Sequence, residues 1–322
     1  MSVTLTEIRS AAHRIANAAI RTPLVKLPLK GEVYAKTENL QKTGSFKYRG
    51  AYNFLASLNP DERRLGVVAH SSGNHAQAVA LAAKSFGVPA TLVIPEGAPE
   101  IKIRKTIEHG AKVLRCKNSR ADRTRVAKEV VEATGQVLIP PFEHPWVIAG
   151  QGTVGIEIVE DLPEVSNVIV CVGGGGLIAG ISTAVKSICP EAKVIGVEPE
   201  LAGDAAQSFE TGSPVEWPAE DVTRTIADGV RTQRVGDLNF SIIQDHVDGF
   251  VTVTEEEILQ ATRWYALEAH VMVEPTGALA LAGYRMLLRE IYPNLTLNPG
   301  PTVLLISGGN IEPKLMAKII QS

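Results

Sequence analysis

A lysine stands among small, hydroxyl and aromatic residues near the start of the chain. The run reads Thr43-Gly44-Ser45-Phe46-Lys47-Tyr48-Arg49-Gly50. Such neighbours can desolvate a lysine, which lowers its pKa and makes its amine a nucleophile. Phe46 is an aromatic that can pack against a flat ring. Most lysines are solvated surface groups, so Lys47 alone indicates a surface residue more strongly than a catalytic one.

A second segment joins an apolar strand to an alanine-rich helix. It reads His70-Ser71-Ser72-Gly73-Asn74-His75, between VVA and AQAVALAAK. Backbone N–H groups and the helix dipole make such a loop an anion site, which suits a substrate carboxylate. The alternative is that Ser72 or Asn74 only caps the helix, and capping is compatible with binding.

A run of four glycines gives the strongest physical signal. Gly173, Gly174, Gly175 and Gly176 follow the strand NVIVCV and precede Leu177 and a helix. Four glycines cost backbone entropy and offer no side-chain packing. They make sense where backbone N–H groups must approach an anion closely, most often a phosphate.

The same glycines support a rival prediction. Gly174, Gly176 and Ala179 match the dinucleotide pattern G-x-G-x-x-A, and Glu198 ends the next strand about twenty residues on. This would make the protein a nicotinamide-dependent oxidoreductase. However, the unit does not open the chain, it leaves the first two segments without a purpose, and glycine runs satisfy the pattern by chance.

Two shorter loops complete the set. The first contains Glu198, Ala202 and Asp204, whose carboxylates and backbone carbonyls suit a hard divalent cation; a solvated acidic loop is the alternative. The second is Ser307-Gly308-Gly309-Asn310, which follows the strand TVLLI. Its hydroxyl is able to bond a ring nitrogen, although a plain left-handed turn is also compatible with the residues.

Alternating strands and helices must position these loops. The predicted strands are Gly66–Ala69, Ala90–Ile94, Ala111–Arg115, Asn167–Val172, Lys193–Val197 and Thr302–Ile306. The predicted helices are His75–Phe86, Ile101–His109, Ala121–Thr134, Gly176–Ile188 and Glu255–His270. The strands are nearly continuous apolar runs, as in parallel sheets that helices cover on both faces.

Two clusters of helix- and strand-breaking residues suggest a division into domains. They are Asn59-Pro60-Asp61 and the proline-rich run from Ile139 to Pro145. We expect a small domain at residues 59–144, inserted into a large domain made of residues 1–58 and 145–322. Ligands of open α/β sheets bind beyond the carboxyl ends of the strands, so a cleft between the domains is the expected site.

Composition excludes several classes of protein. The 322 residues are 45% hydrophobic and carry a net charge of −3, and no basic cluster suits nucleic acid. No long apolar run suits a membrane span, and the start does not look like a targeting segment. Cys116, Cys171 and Cys189 are odd in number and lack metal-site spacing. Reduced thiols and a cytoplasmic location are expected.

Taken together, the segments resemble the fold-type II pyridoxal-phosphate enzymes, in particular the serine/threonine dehydratase and serine racemase group. The matching pieces, in the family's order, are QKTGSFKYRGA, HSSGNHAQAVALAAK, VIAGQGTVGIEI, CVGGGGLIAGI, GVEPELAGD, TIADGV, VEPTGALAL and LLISGGN. The resemblance implies two open, twisted, mostly parallel sheets flanked by helices, with pyridoxal 5'-phosphate in the cleft between a large and a small domain, as in the tryptophan synthase beta-like fold.

The resemblance also implies roles for matching residues. Lys47 would bind the cofactor as a Schiff base. Phe46 would pack on the cofactor ring, Asn74 would bond its 3-hydroxyl oxygen and Ser307 would face its nitrogen. The phosphate would lie on the backbone of Gly173, Gly174, Gly175, Gly176 and Leu177.

Substrate and cation residues follow in the same way. The substrate carboxylate would bind Ser71, Ser72, Asn74 and His75, with Arg123 as a looser contact. Ser72 matches the racemase residue on the face opposite the lysine. Glu198, the Ala202 carbonyl and Asp204 match a site for magnesium, manganese or calcium.

The implied activity is elimination of water and ammonia from L-serine or L-threonine. Serine racemase activity with side dehydratase activity, or dehydration of 3-hydroxyaspartate, are the alternatives within the fold. For 3-hydroxyaspartate, the distal carboxylate would need a cationic partner such as Arg123, His70 or His75. The chain ends soon after SGGN, so we expect the short type without a regulatory domain, and the resemblance implies a homodimer.

Overall fold

The computed structural model describes residues 3–71, 73–98, 100–117, 119–292 and 294–321. These residues form ten strands and fourteen α-helices. The strands are β1 Leu24–Lys26, β2 Val33–Thr37, β3 Val67–His70, β4 Ala90–Pro95, β5 Lys112–Cys116, β6 Val137–Leu138, β7 Asn167–Cys171, β8 Lys193–Pro199, β9 Gly249–Val253 and β10 Thr302–Ile306. The helices are α1 Leu5–Ile15, α2 Lys47–Ser57, α3 Pro60–Leu65, α4 Asn74–Phe86, α5 Glu100–Glu108, α6 Arg120–Thr134, α7 Pro145–Asp161, α8 Gly176–Ile188, α9 Asp204–Thr211, α10 Ala219–Val222, α11 Asp237–His246, α12 Glu255–Leu267, α13 Pro275–Leu287 and α14 Pro313–Gln321.

The larger sheet has six strands in the order β1-β2-β10-β7-β8-β9. All of its strand pairs are parallel except β1 with β2. Strands β7 and β10 are buried at every position, as their continuous apolar sequences predict. The predicted mostly parallel architecture is confirmed for this sheet.

The smaller sheet has four parallel strands in the order β5-β4-β3-β6. All four lie between residues 67 and 138, which supports the domain division that we propose at residues 59–144. The core beside this sheet also contains Tyr48, Phe54 and Leu55 of α2. Helix α2 therefore packs against the smaller block although it precedes that block in the chain.

Four of the five segments singled out in the sequence lie directly at the carboxyl end of a parallel strand. The tetraglycine loop follows β7, the Glu198 loop follows β8, Ser307 follows β10 and Ser71 follows β3. Because β7 and β10 are neighbours, their following loops lie side by side. This is the edge at which open α/β sheets bind ligands.

Two further expectations concern the whole chain. The three cysteines form no disulfide, and Cys116 and Cys171 are buried. Among the helices of the described ranges, none is both long and apolar enough to cross a bilayer.

Candidate active site

Lys47 is placed by a loop that pairs with the end of β10. The Phe46 N–H donates to the Ser307 carbonyl at 3.1 Å, and the Gly309 N–H donates to the Gly44 carbonyl at 2.9 Å. Lys47 then begins α2. Residues more than 250 positions apart in the sequence are therefore joined through backbone hydrogen bonds, which bring the lysine next to the SGGN turn.

The Lys47 amine lies in an apolar, partly buried setting. Its Nζ donates to the Pro141 carbonyl at 2.8 Å and lies 5.0 Å from the centre of the Phe46 ring. Burial lowers the pKa of this amine from 10.5 to about 8. Near pH 7 most of the amine is still protonated, but the neutral, nucleophilic fraction is roughly several hundred times larger than at the ordinary pKa.

The tetraglycine loop offers backbone donors. Gly175 precedes α8 with a left-handed φ of 85° and no side-chain cap. Within the described ranges, the N–H groups of Gly174 and Gly175 have no protein acceptor. The first N–H groups of α8 also lack a partner four residues back. This cluster of donors fits a phosphate.

Phe142 covers the same loop. A Cβ added to Gly174 would lie 2.3 Å from the Phe142 ring, and one added to Gly176 would lie 2.6 Å from the Phe142 carbonyl oxygen. Close packing against Phe142 therefore requires glycine at these two positions. Phe142 also lines a cavity of about 820 Å³, together with Thr124 and Lys128 of α6.

The 70–75 loop opens directly into α4. The helix begins at Asn74 after Gly73, and among the described residues no side chain caps it. Instead, Asn74 Nδ2 donates to Glu274 Oε1 at 2.7 Å, and Asn74 Oδ1 accepts from Asn310 at 2.9 Å. Asn74 therefore does not cap the helix. In the first turn of α4 the Ala76 N–H donates to the Gly73 carbonyl at 3.1 Å, whereas the N–H groups of Asn74 and His75 have no acceptor within the described ranges. Ser72 lies outside the described residues, whereas Ser71 is described and accepts from the Gly73 N–H.

His75 is a buried neutral imidazole. Its Nε2 lies 3.1 Å from the Ile139 carbonyl, so Nε2 carries the proton. Burial, reinforced by the charge of Lys47, lowers the pKa of His75 to about 3. His75 is therefore not the cationic partner that a second substrate carboxylate would need.

Glu274 is a site residue that the sequence analysis missed. It is 3% exposed and precedes α13 without capping it. Besides accepting from Asn74, its own N–H donates to the Gly308 carbonyl at 3.1 Å. A Cβ on Gly308 would lie 2.4 Å from Glu274 Oε1. Glu-Pro at a helix start looks like an ordinary cap, so no local pattern points to this contact.

Cys171 was likewise missed. It ends β7 beside Ser307, which follows the neighbouring strand β10, and both side chains are buried. Burial raises the pKa of the Cys171 thiol to about 11, and the neighbouring Ser307 side chain opposes this shift only in part. The Ser307 hydroxyl itself has no hydrogen-bond partner among the described residues. Ser307 and a neutral thiol therefore lie together next to the Lys47 segment.

Glu198 and Asp204 form a buried pair of carboxylates around Ala202. Both side chains are 0% exposed. Glu198 Oε2 accepts from the Ala206 N–H at 2.7 Å, while Glu198 Oε1 and both Asp204 oxygens have no hydrogen-bond partner among the described residues. Burial raises the pKa of both carboxyls, and in Glu198 the charge of Asp204 adds to this effect. Unpartnered buried oxygens of this kind fit a divalent cation.

The proposed cation site offers few side-chain ligands. The described residues contain no cluster of three or more His, Cys, Asp or Glu side chains. Any cation at Glu198 and Asp204 would therefore rely on backbone carbonyls, such as that of Ala202, and on water.

Arg123 is not joined to the other predicted residues. It lies in the first turn of α6, at the carboxyl edge of the smaller sheet. Its Nε is buried without a hydrogen-bond partner, and the side chain forms no ion pair within the described ranges. Within the described ranges, Arg123 is thus a cation without a protein counter-ion at the carboxyl edge of the smaller sheet.

Comparison with known proteins identifies a family and several relatives. The sequence model described as "Pyridoxal-phosphate dependent enzyme" matches residues 15–308. The chain is 42% identical over 314 residues to a serine racemase of Schizosaccharomyces pombe, covering 96% of this chain and 94% of that one. It is 44% identical over 323 residues to an L-threonine ammonia-lyase of Thermotoga maritima, covering 99% and 78%. It is 39% identical over 320 residues to an L-threo-3-hydroxyaspartate ammonia-lyase of Saccharomyces cerevisiae, covering 98% and 95%.

Solved structures agree with this. The fold is similar to maize serine racemase, with a TM-score of 0.93, 36% identity and coverage of 100% of this chain and 98% of that one. It is also similar to the threonine deaminase of T.th., with a TM-score of 0.88, 42% identity and coverage of 96% and 99%.

Proposed function

Because the chain belongs to the pyridoxal-phosphate dependent enzymes, we propose that it is an ammonia-lyase that converts L-serine and L-threonine to a keto acid and ammonia. The observation that carries this proposal is the partly buried Lys47 amine, whose pKa is lowered to about 8, beside the SGGN turn. The threonine ammonia-lyase among its relatives supports the reaction. The family match favours this function over a nicotinamide-dependent oxidoreductase.

The described residues fit the cofactor that the family implies. Lys47 would bind it covalently, and the donors of the tetraglycine loop and Leu177 would hold its phosphate. Phe46 would pack on its ring, while Ser307 and Asn74 would face the ring nitrogen and the 3-hydroxyl oxygen. When bound, pyridoxal phosphate supplies an electron sink for the charge that develops at the substrate α-carbon.

The protein supplies position and proton transfer. The free N–H groups at the start of α4, with Ser71, Asn74 and His75, would hold the substrate carboxylate. Once the substrate amine replaces Lys47, the neutral lysine is free to remove the α-proton. Asn74 is itself fixed by Glu274 and Asn310, which restricts its movement.

The proposal is tested by a substrate panel with cofactor-loaded protein. We expect L-serine to yield pyruvate and L-threonine to yield 2-oxobutyrate, each with one equivalent of ammonia, measured by keto acid and ammonia assays. If neither amino acid gave a keto acid, the proposal would be wrong. 3-Hydroxyaspartate belongs in the panel, because Arg123 has no counter-ion among the described residues. Oxaloacetate from this compound alone would identify the alternative dehydratase.

A serine racemase is the second candidate, because two of the similar proteins carry that activity. By the sequence resemblance, Ser72 would act on the face opposite Lys47. If the enzyme racemises serine, replacing Ser72 by alanine should abolish D-serine formation while L-serine elimination falls far less. Chiral chromatography and the pyruvate assay measure the two products. Equal losses of both would contradict a racemase in which Ser72 serves the second face.

The lowered pKa of Lys47 predicts how cofactor capture depends on pH. Only the neutral amine attacks an aldehyde, so capture by cofactor-free protein should rise about tenfold per pH unit below pH 8 and level off above it. Stopped-flow absorbance with added pyridoxal phosphate measures the rate. Because the ordinary value is 10.5, a rate that keeps rising up to pH 10 would show that Lys47 is not desolvated.

Three finer features are also proposals. We propose that Glu198, the Ala202 carbonyl and Asp204 bind magnesium, manganese or calcium, on the support of their unpartnered oxygens. We propose a cytoplasmic homodimer, supported by the family resemblance and by the absence of disulfides among the three cysteines. Small amino acids are the expected partners, and neither nucleic acid nor membrane is expected to bind.

A further inference from the structure

Four charged side chains meet inside the protein behind the Lys47 segment. They are Lys36 of β2, Glu38 of the following 3-10 turn, Arg49 of α2 and Glu157 of α7. Lys36, Glu38 and Arg49 have side chains at most 1% exposed, and that of Glu157 is 12% exposed. Two positive and two negative charges balance.

Arg49 is the centre of the cluster, because it binds both carboxylates through two hydrogen bonds each. Its Nε and Nη2 donate to Glu38 at 2.8 Å each, and its Nη1 and Nη2 donate to Glu157 at 2.6 and 2.8 Å. Further acceptors are Thr153 Oγ1 at 3.2 Å and the Ile20 carbonyl at 3.1 Å. Every nitrogen of the guanidinium is thus bonded.

The ionisation of the cluster depends on these bonds. Burial by itself would raise the pKa of Glu38, but the charge and hydrogen bonds of Arg49 outweigh it and lower this pKa. Burial likewise opposes the charge of Arg49, and the two carboxylates overcome it. A planar fork with five donors makes such double pairing possible, and a lysine ammonium cannot reproduce it.

The cluster lies at the start of α2, where Lys47 is. Arg49 is two residues after Lys47, in the first turn of the helix. Next to it, the Gly50 N–H donates to Gln151 Oε1 at 3.2 Å, and a Cβ on Gly150 would lie 2.7 Å from the Gly50 Cα. Helices α2 and α7 therefore touch through their backbones at this point, and Arg49 joins them to the 3-10 turn that follows β2.

We propose that Arg49 is a positioning residue, which through its paired bonds to Glu38 and Glu157 fixes the first turn of α2 and so holds the Lys47 amine at the cofactor. The inference rests on the proposed function, because the place of Lys47 matters only if it binds the cofactor. Lysine at position 49 would keep the charge but lose the double pairing, so the first turn of α2 could shift. A displacement of about 1 Å at a reacting group can cost roughly 10²-fold in rate.

The test compares Arg49→Lys with Lys36→Met. Lys36 belongs to the same cluster, donating to Glu157 and to the Thr22 carbonyl at 2.6 Å each, but it does not contact α2 in any of these bonds. Both variants should lower the melting temperature. We expect Arg49→Lys alone to lower kcat by about 10²-fold with KM changed less than about threefold.

Two measurements other than activity distinguish a displaced Lys47 amine from a general loss of protein stability. In Arg49→Lys, the pH midpoint of pyridoxal phosphate capture should move upward from about 8, because a displaced amine is better solvated. The fraction of Lys47 labelled after borohydride reduction should fall. Lys36→Met should keep the parent midpoint, labelling and kcat.

Two results would overturn the inference. The first is that Arg49→Lys leaves both kcat and the pH midpoint of pyridoxal phosphate capture unchanged. The second is that Arg49→Lys and Lys36→Met lose the same factor in kcat when their melting temperatures fall equally. If Arg49→Lys does not fold, Glu38→Gln keeps the shape of the cluster and removes one charge. In Glu38→Gln the pH midpoint of pyridoxal phosphate capture should then be higher than in the parent protein, and an unchanged midpoint would overturn the inference. Failure of the parent protein to capture pyridoxal phosphate would instead refute the proposed function.

Discussion

Replacing Lys47 by alanine is expected to lower keto acid formation from L-serine by at least about 10³-fold, because one amine both binds the cofactor and removes the α-proton. The fold should survive, since the side chain makes one hydrogen bond, to the Pro141 carbonyl. Coupled pyruvate assays measure the rate, and thermal unfolding checks the fold. Added pyridoxal phosphate should not restore the activity.

Lys42→Ala is the matched control. Lys42 lies in the same segment but is exposed, with its amine 5.7 Å from the Tyr48 ring centre. Its replacement should leave the rate within about twofold of the parent, since surface substitutions usually have small effects. A Lys47→Ala protein that kept more than a tenth of the parent rate would show that another group performs the chemistry.

Removing divalent cations is expected to lower the melting temperature by roughly 5 °C, and adding back magnesium, manganese or calcium should restore it. The reason is that Glu198 and Asp204 are buried with three oxygens that lack hydrogen bonds within the described ranges. A ligand at about 100 times its Kd stabilises a protein by roughly 2.7 kcal/mol, which in a chain of this size corresponds to several degrees. Scanning calorimetry with and without a chelator measures the shift.

The matched pair of variants for this prediction is Asp204→Asn and Glu200→Gln. Glu200 lies in the same loop but is exposed, so its variant should respond to the chelator as the parent does. Asp204→Asn should lose the response. If the parent melting temperature were indifferent to all three cations and to the chelator, the proposed cation site would be wrong.

Much of the fold follows from the sequence alone. Strand Thr302–Ile306 and helix Gly176–Ile188 have the predicted bounds, and the other five predicted strands agree within two residues. Five of these six strands are buried at nearly every position, so their composition is unambiguous, whereas β5 is partly exposed. The four strands that were missed are short or mixed in character, and they are β1, β2, β6 and β9.

Strand β2 shows why such elements escape prediction. Its sequence VYAKT places a lysine at a position that is fully buried. Lys36 is tolerated there because Glu157, 121 residues away, accepts from it. A local sequence pattern cannot reveal an ion pair between residues so far apart in the chain. Without that partner, a buried lysine is energetically unfavourable, so Lys36 argues against a buried strand in the sequence.

In the candidate site, too, some residues could be predicted from the sequence and others could not. The loops of Lys47, Asn74, Gly173 and Ser307 were predictable because glycines and hydroxyl residues stand at strand ends, where binding loops occur. Glu274, Cys171 and Phe142 were not, because each enters the site through contacts formed only when the chain folds. Their own sequence contexts read as a helix start, a buried strand and a proline-rich link.

The central claim is that Lys47 binds pyridoxal phosphate, and one measurement tests it most directly. Purified protein loaded with pyridoxal phosphate is reduced with borohydride, digested and examined by peptide mass spectrometry, with the visible spectrum recorded before and after reduction. We predict a visible band that disappears on reduction and a phosphopyridoxyl group on Lys47 in nearly every molecule. A label on other lysines, or no label at all, would contradict the account.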